Sequence, residues 1–261
     1  MRRKTKKKHF FLRVLAFLFL SGMLFGVFYL FFWMEVPDKP TNFEPTPEQE
    51  ARLHEIFTHP ENYPEDLLEK VREFPEVVDF VYDYPTPPRD LPFSLDWDKG
   101  KIPHFLQWDE RWGYKKYCGS FFGVTGCGPT ALAMVYDGLS HSTKYNPYDL
   151  GILAESMGYG DEGMGTDANF MVAGAKHIGL EVYVPERSAW AWRKAIKKGH
   201  PLILNVGPGD FTAFGHYLVV ADHNGKGFVV LDPNSRVRGQ RTWTFDELER
   251  QTKSVWAYIP E

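Results

Sequence analysis

Cysteine is scarce in this chain: two thiols, Cys118 and Cys127, stand among 261 residues. Two are too few for the disulfide framework of a small secreted scaffold and too few for a cysteine-rich zinc site. The other signatures of a metal centre are missing as well, with no HExxH, no CxxC and no pair of histidines at ligand spacing. A phosphate cradle is missing too. The glycine-rich run GYGDEGMG at 158–165 has no P-loop lysine and carries Asp161 and Glu162. It reads as a flexible connection, and no cofactor is expected. There is no internal repeat and no low-complexity tract, which sets repeat architectures aside. Acid is absent from residues 1–13, where Arg2, Arg3, Lys4, Lys6, Lys7, Lys8 and Arg13 lie. The net charge of −4 becomes −11 once those seven are set aside, and so acidic a remainder repels phosphate; nucleic acid is not an expected partner.

What is present divides into four stretches. Residues 1–13 form a basic head. Residues 14–34, VLAFLFLSGMLFGVFYLFFWM, carry no charge over 21 positions, enough for a helix to span the hydrocarbon core. The run ends in bulky Phe31, Phe32, Trp33 and Met34 rather than in a small-residue cleavage site, so an uncleaved single-pass anchor is expected in preference to a signal peptide. The basic head then stays in the cytoplasm and the remainder lies outside it. Residues 35–98 read as an acidic, proline-punctuated stalk of short helices, the first capped by Thr46 with Pro47 at its opening position. Leu67, Leu68 and Val71, and then Val77, Val78, Phe80 and Val81, give these helices apolar faces, so the stalk is expected to pack on the domain that follows. That domain, residues 99–261, reads as helices first, then the strands EVYV, PLILNV, HYLVVAD, FVVLD and SVWAYI, with the helix SAWAWRKAIKKG among them. That order is an α+β fold.

The sharpest local feature is Gly126-Cys127-Gly128-Pro129-Thr130, running into the apolar stretch ALAMV. A helix starting at Cys127 places the thiol at the positive end of a helix dipole, which favours the nucleophilic thiolate. Such a thiol needs a base. Of nine histidines, His216 opens a strand whose hairpin turn, Asn224-Gly225-Lys226-Gly227, leads to a second strand ending at Asp232. Folding about position 224 sets His216 nearly opposite Asp232, and a carboxylate so placed orients the imidazole and stabilises its charged form. Gln107, in IPHFLQWDERWG, is a side-chain amide that could donate to an oxyanion, although by itself it reads no more strongly than an exposed loop residue. The loop GPGDFTAFG at 207–215 leads into His216 and suits a cleft wall.

Together IPHFLQWDERWG, GCGPTALAMV, GHYLVVADH and LDP resemble, in order, the papain-like cysteine peptidases related to bacteriocin-processing, double-glycine leader peptidases. The resemblance spans about residues 101–235. It implies a papain-like fold, with the helical half carrying the cysteine and an antiparallel sheet carrying histidine and acid. It further implies Cys127 as nucleophile, His216 as general base and acid, Asp232 as orienting acid and Gln107 as oxyanion donor. The expected partner is a peptide or protein substrate outside the cytoplasm. Cys127 is expected to be free, with Cys118 near the cleft, since a bridge between the two would cap the nucleophile. Acyl transfer to another acceptor, as in a transpeptidase or wall amidase, and a non-catalytic peptide- or wall-binding module are the alternatives.

Overall fold

The computed structural model describes residues 43–88, 91–94 and 100–260, all within one compact unit, Thr41–Glu261. The basic head 1–13 and the apolar run 14–34 lie outside the described residues. Among those described, no helix is long and apolar enough to cross a membrane.

The N-terminal layer consists of α1 (Pro47–Thr58), α2 (Glu65–Glu73) and α3 (Val78–Tyr82). Thr46 caps α1 in a reciprocal box with Gln49, and Pro47 sits where its missing N–H costs nothing. The apolar faces anticipated from spacing are buried: Leu67, Leu68, Val71, Val77, Val78, Phe80 and Val81 form one cluster that also holds Phe121, with Trp108, Tyr114 and Val124 packed against it. The stalk helices thus share a core with the segment leading to Cys127.

A tight hairpin of β1 (Lys116–Tyr117) and β2 (Ser120–Phe121) and a one-turn helix α4 (Phe122–Thr125) deliver the chain to α5 (Cys127–Ser140). Helix α6 (Pro147–Ser156) is capped by Asn146, and β3 (Gly160–Asp161) then pairs antiparallel with β4 (Gly165–Thr166). The GYGDEGMG run is therefore a hairpin rather than a flexible connection. Positive φ at Gly163 and Gly165 permits its turn, and the Gly163 N–H donates to the Cys118 carbonyl at 2.8 Å. Next come α7 (Phe170–His177), β5 (Leu180–Tyr183), α8 (Ala189–Lys197), β6 (Leu202–Val206), β7 (His216–His223), β8 (Phe228–Leu231), β9 (Thr242–Trp243), α9 (Phe245–Glu249) and β10 (Thr252–Pro260).

The last six strands form one antiparallel sheet in the order β5-β10-β6-β7-β8-β9. Alternation along β7 feeds two cores. Tyr217 and Val219 join the core built around α5, with Leu132, Met134 and Phe170. Leu218 and Val220 join a second core with Trp192 of α8, Phe211 and Trp243. The helical half, followed by an antiparallel sheet, gives the α+β class read from the element order.

Candidate active site

Cys127 is the first residue of α5, a 14-residue helix. The glycines on either side of it are demanded by close packing. A Cβ at Gly126 would lie 2.6 Å from the Phe122 ring and carbonyl, and one at Gly128 would lie 2.8 Å from Thr166. Thr130 steadies the turn by donating its hydroxyl to the Gly126 carbonyl at 2.7 Å. Both cysteines are free thiols, and Cys118, buried nearby, donates to the Gly165 carbonyl at 3.3 Å.

The hairpin of β7 and β8 brings His216 to Asp232, but not in the register expected. Val219 pairs with Leu231 and Val220 with Val230, and a bulge intervenes before Asp222 pairs with Val229. Continuing the first register sets Leu218, not His216, opposite Asp232. The turn is centred between Gly225 and Lys226 rather than at position 224, which offsets the pairing by three, and the bulge takes one of those back. An offset of two keeps both side chains on one face, within diagonal reach. Nε2 of His216 donates to Oδ1 of Asp232 at 2.6 Å, both groups buried. That leaves Nδ1 for the thiol.

Burial alone would drive the His216 pKa down. The charge and hydrogen bond of Asp232 and the proximity of Cys127 outweigh it, raising the group to about 9. Burial likewise opposes the Cys127 thiolate, and His216, the Tyr217 backbone and Lys70 together prevail, leaving the thiol below its usual range. Both shifts favour the thiolate and imidazolium form of the pair. Asp232 is held well below the carboxylate range: against burial act His216, Arg238 and the Asn234 N–H. Arg238 donates from Nη1 to Asp232 Oδ2 at 3.0 Å and to the Phe211 carbonyl at 2.9 Å, and the Asn234 N–H reaches Asp232 Oδ1 at 2.7 Å.

Gln107 is buried beside α4, and its amide is already engaged. Nε2 donates to the carbonyls of Gly123 and Val124, both at 2.9 Å, while Oε1 has no partner. Its backbone N–H donates to the Pro233 carbonyl at 2.7 Å. With His104 Nε2 donating to the Asp232 carbonyl at 2.8 Å and Trp108 Nε1 to that of Asn234 at 3.0 Å, the IPHFLQW segment fastens the loop that carries Asp232. His104, Arg238 and Lys70 carry no signal in the sequence. His104 and Arg238 act through fixed loops without periodicity, and Lys70 belongs to a helix 57 positions ahead of the cysteine. Two large apolar side chains, Met164 (85% exposed) and Phe214 (82% exposed), stand on the β3–β4 turn and on the loop leading into His216.

The solved peptidase domain of Streptococcus ComA, a bi-functional ABC transporter involved in quorum sensing, is 21% identical over 52% of this chain and 93% of its own, with a TM-score of 0.42. A C39-like peptidase from Bacillus anthracis is 13% identical over 61% of this chain and 95% of its own, with a TM-score of 0.40. No curated protein matches. Residues 99–260 match the model of the family described as "Peptidase_C39 like family". The match covers more than half of the chain, which therefore belongs to that family and is by class a cysteine peptidase.

Proposed function

We propose that the protein hydrolyses a peptide bond through Cys127, His216 and Asp232. The observation that carries this reading is a thiol at a helix N-terminus beside an imidazole that a buried carboxylate holds by its far nitrogen. The Cys127 thiolate attacks the scissile carbonyl, forming a C–S bond and an oxyanion. The His216 imidazolium passes its proton to the departing amine as the C–N bond breaks, leaving a thioester. Neutral His216 then takes a proton from water, whose oxygen attacks the thioester; the C–S bond breaks, releasing the acid product and returning the Cys127 thiolate. Asp232 orients the ring throughout. The oxyanion is taken by the backbone N–H of Cys127 and by Gln107, whose amide must release one of its two carbonyl partners to donate. Met164, on the β3–β4 turn, and Phe214, on the loop leading into His216, offer exposed apolar surface to such a peptide.

The same reading puts the reaction outside the cytoplasm, with residues 14–34 as the anchor, on the strength of the basic head and the uncharged run. A membrane-impermeant maleimide should reach Cys127 in intact cells; labelling only after lysis would reverse that topology.

The chemistry is tested by iodoacetamide labelling of the full chain near neutral pH under mild reductant, in wild type, Cys127→Ala, Cys118→Ala and His216→Ala. Fast labelling mapped to Cys127 and lost in His216→Ala is expected. Slow labelling of Cys127, indifferent to His216→Ala, would sink the proposed chemistry.

A further inference from the structure

The carboxylate that holds His216 stands at the start of a turn. Asp232-Pro233-Asn234-Ser235 has an acid first and proline second, an order that turns favour. The Ser235 N–H closes the turn on the Asp232 carbonyl at 3.1 Å, and the Asn234 N–H bonds Asp232 Oδ1 at 2.7 Å. Arg238, just beyond the turn, takes the other oxygen. Its Nη1 reaches Asp232 Oδ2 at 3.0 Å, and its backbone N–H donates to Ser235 Oγ at 3.2 Å. The direction of the carboxylate is therefore set by where Ser235 and Arg238 lie.

Two braces hold this turn. One comes from the family-matching stretch, where His104, Gln107 and Trp108 bond the carbonyls of Asp232, Pro233 and Asn234. The other comes from outside that stretch. Pro75 ends α2 and opens a single 3₁₀ turn, Pro75–Val77, whose flanking side chains Phe74 and Val77 are buried. Glu76, between them, reaches the loop with both oxygens. Its Oε2 accepts from Ser235 Oγ at 2.5 Å and its Oε1 from the Arg236 N–H at 2.7 Å. Hydrogen bonds to a charged acceptor are the stronger kind. Beside them, the Arg238 guanidinium lies 4.9 Å from the centre of the Phe74 ring. This contact does more than fasten the N-terminal layer, because it ends on the oxygen to which Arg238 also bonds, and Arg238 holds Asp232.

We infer that Glu76 is a positioning residue for the catalytic acid: through Ser235 and Arg238 it fixes the direction of the Asp232 carboxylate, and so the orientation of His216. The inference rests on the cysteine-peptidase reading and extends the machinery beyond residues 99–260. Glu76 itself touches no reacting atom.

The test is the pH profile of iodoacetamide labelling at Cys127 in the full chain, taken well below the melting temperature so that folded protein is read. A loosened Asp232 stabilises the imidazolium less, the imidazolium then stabilises the thiolate less, and the thiol titrates higher. In Glu76→Ala the acid limb should move up by about half a pH unit, which reads as labelling about threefold slower on that side. Glu76→Gln keeps an acceptor for the Arg236 N–H and a polar group against Ser235, and should restore most of the wild-type profile. Ser235→Ala breaks the link from its other end and serves equally if Glu76→Ala does not fold. It should move the limb the same way, and in its background Glu76→Ala should add less than it does alone. Leu67→Ala, which loosens the same layer without touching these bonds, should melt lower and leave the limb in place. A limb unmoved in folded Glu76→Ala or Ser235→Ala, displaced as far by Leu67→Ala, or left unrestored by Glu76→Gln overturns the inference. Failure of the peptidase reading is seen separately, as labelling indifferent to His216→Ala.

Discussion

At the scale of the residue, Asp232 is the point where the site's charges meet. It binds the His216 ring, the Arg238 guanidinium and the Asn234 N–H. In the proposed mechanism its effect on His216 sets the alkaline limit of activity. The imidazolium needed to protonate the leaving amine is lost as pH passes about 9, and Asp232→Asn should move that limb to lower pH, read from the pH profile of kcat/KM. The same pair contributes to stability within a window. The contribution of the raised His216 is complete below its unfolded value and is lost as pH climbs through about 9, and that of the depressed Asp232 is lost as pH falls below about 4. Asp137, on α5, behaves in the opposite way. It is fully buried, neither oxygen has a hydrogen-bond partner, and burial pushes its carboxyl up to about 8. The folded chain holds this proton where the unfolded chain has released it, so stability should decline between about pH 4 and 8, by up to about 1.4 kcal/mol per unit. Asp137→Asn should flatten that decline in thermal melts; an unchanged slope would show that Asp137 is ionised in the fold. Cys127, His216 and Asp232 were legible in sequence because each sits in a local pattern: a glycine-flanked helix start, a strand opening and a hairpin. Asp137 was not, since a lone acid within an apolar helix has no spacing to mark it.

Elements determine how firmly those residues are held. Helix α2 packs Leu67 and Val71, both fully buried, against the same cluster that holds Phe121, one residue before α4. Leu67→Ala should cost about 2–4 kcal/mol by denaturant unfolding, because the cavity lies between layers that cannot collapse freely. The glycine-bearing turns near the nucleophile are equally particular. Gly128→Ala places a methyl group 2.8 Å from Thr166, whose hydroxyl is already bonded to Tyr117 at 2.7 Å. That substitution should slow Cys127 labelling far more than it lowers the melting temperature, since the strain falls next to the thiol. The helices and main strands were readable because apolar spacing and caps announce them. The short hairpins, α9 and the β7–β8 bulge were not, since two-residue strands lack a period and a bulge leaves no mark in composition.

For the whole molecule, the family-matching stretch 99–260 shares a core with the helices before it. Removing everything before residue 99 would uncover Phe121, Trp108, Tyr114 and Val124 and delete Glu76, which braces the loop after Asp232. A fragment of residues 99–261 should bind a hydrophobic dye and melt well below a fragment of residues 41–261; equal melting would mean that the N-terminal layer is an accessory. The same dependence has a consequence in time. The groups that make Cys127 reactive are drawn from positions 70, 127, 216 and 232, so its thiolate is a product of long-range closure. Contacts this far apart in sequence form late, after local helices and hairpins. A chain still emerging from synthesis, or passing through a partly folded state, carries an ordinary thiol, mostly protonated at neutral pH. The shifted thiol comes into being only when the first helices and the last strands have met.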